Sequence, residues 1–99
     1  MNATEKNRTK ARSALVQKYF ELAALLEEQN PGLTFRNHCY WRIALDNTVL
    51  TKWDTVMKRP AYQHLTTEQL AFAVRLLANY LDDKELLLRH NRVSLRFRR

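Results

Sequence analysis

Apolar residues recur at helical spacing in three stretches of the chain. In the first, Leu15, Tyr19, Leu22 and Leu26 follow one another at three or four residues, and Val16, Phe20 and Ala23 widen the stripe. This predicts a helix from about Ser13 to near Asn30. Pro31 disfavours helical geometry in the residue before it, and Gly32 can turn the chain at no steric cost. In the second stretch, Thr34 to Lys58, a single helix of about six turns would place Phe35, Cys39, Ile43, Val49, Leu50, Trp53, Val56 and Met57 on one side. Thr34 is the expected N-cap, and Pro60 marks the end.

The third stretch has the clearest start. Thr66 and Gln69 have capping-box spacing, and Leu65 ahead of the cap can meet Leu70 as a hydrophobic staple. Leu70, Val74, Leu77 and Leu81 then form a stripe, flanked by Phe72, Leu76 and Tyr80, so this helix is expected to be the most buried. Between the second and third helices, RPAYQHL reads as a turn or a single helical turn that returns Tyr62 and Leu65 to the core. Asp82 with Glu85 is a weaker capping signature for a fourth helix. The final stretch, KELLLRHNRVSLRFRR, fits a helix with Leu86, His90, Val93 and Phe97 on one face, or a strand in which Val93, Leu95 and Phe97 alternate with polar residues. The helix is preferred, because no other segment offers a strand partner and an isolated strand leaves its backbone groups unpaired.

The expected fold is therefore all-α, a small three- or four-helix bundle. Residues 1–12 are basic and almost devoid of apolar side chains, and are expected to be a mobile N-terminal segment. Residues 13–99 form a single helical domain. A length of 99 residues suits one core.

Composition narrows the class. No segment approaches the roughly 20 apolar residues needed to span a bilayer, and the polar N-terminus lacks the apolar run of a signal peptide. A single cysteine suits a reducing compartment, so a soluble cytoplasmic protein is expected. Seventeen Lys and Arg against ten Asp and Glu give a formal charge of +7. That balance favours polyanionic partners: nucleic acid, an acidic protein surface or an anionic membrane.

Four groups of residues are candidates for chemistry. His38, Arg42 and Asp46 stand at successive i+4 steps, so that their side chains can touch in a column. An opposite-charge pair inside an apolar stripe reads first as a buried polar seam that fixes helix register, and second as an anion or proton-transfer site. Tyr40 and Trp41 project further round the same helix and are candidates for partner binding. Near the chain's end, Arg89, Arg92, Arg96 and Arg99, with Arg98 beside them, form a row with no acid after Glu85, and the planar guanidinium suits phosphate or carboxylate. Lys6, Arg8, Lys10 and Arg12 extend this surface if the two ends lie close together.

No His or Cys pair has a recognised metal-ligand spacing, no glycine-rich phosphate loop is present, and no set supplies nucleophile, base and orienting group together. Neither a metal, a cofactor nor enzymatic activity is expected. The leading expectation is a helical module that grips nucleic-acid phosphate through its basic ends, without base specificity and with strong salt dependence. The alternative is an interaction or assembly module, an adaptor for an acidic partner or a homo-oligomer, that uses an exposed aromatic patch around Trp41.

Overall fold

Alanine, glutamate, lysine and arginine are good helix formers even where no apolar stripe organises them. The first helix, α1 (Ala3–Gln29), accordingly starts at Ala3 rather than near Ser13, well ahead of the apolar pattern. The computed structural model describes the backbone of residues 3–99 and the side chains of residues 7–99, so Lys6 of the basic N-terminal group lies outside the described side chains. From Tyr19 onward α1 buries Tyr19, Leu22, Ala23 and Leu26. It stops at Asn30, whose backbone N–H and side-chain amide both donate to Leu26 O, at 3.1 and 2.9 Å. The chain then turns without any glycine at positive φ; Gly32 stands in open space.

The second helix differs most from expectation. α2 spans only Asn37–Val49, with Arg36 rather than Thr34 at the N-cap. Its last turn is weak for local reasons. Asn47 and Thr48 bond back to the carbonyls of Ile43 and Ala44, a competition that loosens helices, and the following Thr48, Val49 and Thr51 are β-branched. Leu50 then takes a left-handed conformation, φ 60°, and its N–H donates to Asp46 O. A 3₁₀ turn, Trp53–Thr55, follows. Trp53, Val56 and Met57 therefore do not share a helix with Ile43. Among the described residues it is a leucine, not the glycine, that takes positive φ.

After the Arg59–Pro60 peptide, which is cis, comes the single-turn α3 (Ala61–His64). α4 (Thr67–Asp82) begins with the expected capping box: Thr66 Oγ1 accepts from Gln69 N–H at 3.1 Å, and Gln69 Oε1 accepts from Thr66 N–H at 2.9 Å. Leu65 and Leu70 on either side are both buried. The last helix, α5 (Lys84–Phe97), is capped by Asp83, whose carboxylate accepts from Leu86 N–H at 2.9 Å, one residue later than the Asp82 signature. Its helical course to Phe97 removes the strand reading.

Among the described residues the protein is an all-α bundle without strands. α4 lies against α1, α2 and α5, and α2 against the same partners and the 3₁₀ turn. These two helices share the centre. On α4 the buried positions are Leu70, Ala73, Leu76, Leu77 and Tyr80, while Phe72 is exposed. No helix among the described residues is long and apolar enough to cross a membrane.

Tyr80 holds α4 to α5. Burial pushes its pKa up, so the hydroxyl stays protonated, and it shares a hydrogen bond with His90 Nδ1 at 2.7 Å. Burial, with Arg89 adding to it, holds the His90 pKa below its ordinary value of 6.5. A depressed histidine pKa favours the neutral ring in the folded state, so this contribution is complete above about pH 6.5 and is lost as pH falls through that value. The urea midpoint should fall between about pH 7.5 and about pH 5.5, and His90→Gln should flatten the curve in that window; an unchanged profile in the variant would refute the assignment.

A left-handed non-glycine residue costs about 1–2 kcal/mol, partly offset in a glycine variant by its greater unfolded-state freedom. Leu50 is exposed, so Leu50→Gly should leave packing intact and raise stability by roughly 0.5–1 kcal/mol in denaturant titration, whereas Leu50→Val should lower it.

Candidate functional site

The chemistry begins with a carboxylate that has no access to water. Asp46, in the third turn of α2, is 0% exposed. Such a group is tolerated only when its lone pairs are filled. Asp46 accepts from Trp53 N–H at 2.9 Å, from Ser94 Oγ at 2.7 Å, and from Arg98 Nε and Nη2 at 2.8 and 3.1 Å. The bidentate guanidinium supplies the compensating charge, and the four bonds tie α2, the 3₁₀ turn and the end of α5 to one side chain.

Arg42 is not the partner of Asp46, contrary to the column expected from i+4 spacing. It reaches across to α5, donating to Ser94 Oγ at 2.7 Å and Asn91 Oδ1 at 2.9 Å. Ser94 is thus a relay, accepting from Arg42 while donating to Asp46. His38 stands exposed and makes no hydrogen bond or ion pair among the described residues. The polar seam does lie between helices, but it runs from α2 to α5 rather than along α2.

Ser94, Asn91 and Arg98 were missed as a set, although a signal was present. Leu87, Asn91, Ser94 and Arg98 follow one another at four, three and four residues and fall within an arc of about 60°. Leu87 and Ser94 are both fully buried, so this is the face that α5 turns inward.

Beside the network, α1, α2 and the segment around Arg59–Tyr62 enclose a cleft of about 400 Å³. Its walls are aromatic. Trp41 stacks on Tyr19 with centroids 5.1 Å apart and donates its indole N–H to Tyr19 O at 3.0 Å. Phe20 meets Trp41 and Tyr62 edge-on at 5.3 and 5.1 Å. Arg59 lies over the Trp53 ring, 5.0 Å from its centroid, and pairs with Asp54 at 2.8 Å. Burial pushes the Asp54 carboxyl up, but its own backbone amide and Arg59 outweigh this and hold it below the ordinary aspartate range.

Two assignments for partner binding divide here. Trp41 is half-buried and lines the cleft. Tyr40 is 0% exposed and belongs to the core, where it meets Phe35 edge-on, so it cannot contact a partner on this surface.

The basic residues divide as well. Arg98 is committed to Asp46. Arg12, half-buried, donates to Tyr62 O at 2.9 Å, Leu65 O at 2.7 Å and Thr67 Oγ1 at 3.2 Å, satisfying carbonyls at the end of α3. Neither guanidinium is available as a free surface charge. Arg89, Arg92, Arg96 and Arg99 are all exposed, and no ion pair among the described residues involves them. Arg8 and Lys10 are exposed likewise. Among the described residues no group of three His, Cys, Asp or Glu side chains is placed to hold a metal ion. No protein-family model, no curated protein and no solved structure matches this chain.

Removing one member of a buried ion pair leaves the other charge uncompensated, at about 3–5 kcal/mol. Asp46→Asn and Arg98→Gln should each lower unfolding free energy by roughly that amount in urea titration, and the double variant should lose far less than the two together. Additive losses would show that the two side chains do not act as a pair.

Proposed function

We propose that the protein is a basic helical module that binds nucleic acid through phosphate contacts made by α5. The carrying observation is the state of Arg89, Arg92, Arg96 and Arg99: exposed, and unneutralised by any ion pair among the described residues. Arg89, Arg92 and Arg96 fall within about 60° on the helix, and Arg99 follows just beyond its end. Guanidinium forks lined up in this way match a row of phosphates, and no acid among the described residues pairs with them.

The network around Asp46 supports this reading by its geometry. The inward face of α5 is anchored through Asn91, Ser94 and Arg98, so the outward arginines stand on a rigid element. The contacts assigned to these arginines are guanidinium to phosphate and none is to a base edge, so the recognition proposed is of backbone rather than base sequence. Arg12 and Arg98 have no place in the interface, which is narrower than charge alone suggests.

Four phosphate contacts predict that affinity for generic DNA falls about a hundredfold between about 50 and about 200 mM salt. Replacing Arg89, Arg92, Arg96 and Arg99 together with Gln should weaken low-salt binding to DNA or RNA at least roughly tenfold and flatten the salt slope by about one unit per residue. The melting temperature should change little, because all four side chains are exposed. Binding indifferent to these replacements, or no binding at low salt, would overturn the proposal.

A further inference from the structure

The cleft beside Asp46 is lined by cationic side chains whose donors the fold uses only in part. Its polar lining is His38, Arg42, Arg59 and Arg98, and no carboxylate among the described residues lines it. Each of the three guanidinium groups offers five N–H donors and commits no more than two of them to hydrogen bonds within the protein. The remaining donors of the half-buried Arg42 and Arg98 border the aromatic rings, and Arg59, 72% exposed, stands at the rim of the cleft. Phe20 is 40% exposed although three other rings surround it, which leaves an aromatic flank open at the rim.

We infer that this cleft binds a nucleotide: a planar ring laid against Phe20 and Trp41, with its phosphate taken by Arg42 and Arg59. Aromatic walls alone would suit any apolar ring, and guanidinium groups alone any anion. Their juxtaposition in one cleft selects a molecule that carries both. At about 400 Å³ the cleft takes one such unit, not a duplex or a folded partner. The unit is either a free mononucleotide or one residue of a single strand, since both present the same ring and phosphate. The inference is independent of the arginine face of α5: Arg89, Arg92, Arg96 and Arg99 line no part of the cleft.

The test uses the full chain and follows the Trp41 indole N–H resonance, identified with Trp41→Phe, during titration with adenosine 5′-monophosphate, adenosine, inorganic phosphate and a short single-stranded oligoadenylate. The monophosphate or the oligoadenylate should shift this resonance saturably and bind roughly tenfold more tightly than adenosine or phosphate alone. Arg59 is exposed, so Arg59→Gln should weaken that binding roughly tenfold while lowering the melting temperature only slightly, through loss of the Asp54 pair and the Trp53 contact. The variant lacking Arg89, Arg92, Arg96 and Arg99 should still bind the monophosphate. An oligoadenylate much tighter than the monophosphate assigns the cleft to a strand, and the reverse assigns it to a free nucleotide. No saturable shift with either, phosphate binding as tightly as the monophosphate, or no effect of Arg59→Gln would overturn the inference.

Discussion

A carboxylate enclosed by protein governs this fold. Asp46 has no water to solvate it, and its four acceptor bonds come from three residues, one in the 3₁₀ turn and two at the end of α5. Each donor depends on the others being in place, since a half-satisfied buried charge is worse than none. The Trp53 amide requires the chain to reverse after Val49, which the left-handed Leu50 accomplishes. The Ser94 hydroxyl and the Arg98 guanidinium require α5 to lie along α2 in one register. Apolar burial supplies the drive to collapse, and Asp46 restricts which arrangement of helices the collapse can reach.

The same constraint sorts the arginines. In the amino-acid sequence they differ only in position, and the row near the end of the chain looks uniform. In the fold, Arg98 compensates a buried charge, Arg12 caps carbonyls and Arg42 bridges two helices. The count of seventeen basic side chains therefore overstates how many have donors free for a partner, and exposed guanidinium groups without an ion pair among the described residues line the outer face of α5.

Much of the architecture was legible from periodicity. The capping box at Thr66, the α4 stripe and the helical course of the final stretch all follow from local chemistry that tertiary contacts did not contradict. The central helix was not legible, because apolar spacing from Phe35 to Met57 continues through a break whose causes are side-chain bonds of Asn47, Thr48 and Asp46. Periodicity reports which residues want burial, and says nothing of a turn that buries them by reversing direction. The Arg42–Asp46 pair failed for a related reason. Spacing of i+4 brings two side chains within reach, but Arg42 had stronger calls on it from Asn91 and Ser94, and Asp46 was already filled by Arg98. The cleft could not be read at all, since Phe20, Trp41, Arg59 and Tyr62 meet only through the fold.

The separation between Asp46 and Arg98 bears on how the molecule comes into being. The two residues are 52 apart in sequence. A ribosome adding about 5–20 residues per second makes Asp46 roughly 3–10 s before it makes the arginine. Throughout that interval the carboxylate lacks the arginine it is finally buried against, and α1 and α2 emerge without the helix that completes their core. Vectorial synthesis thus presents α2 with its Asp46 side still wet, and consolidation of the bundle is deferred until α5 has left the exit tunnel.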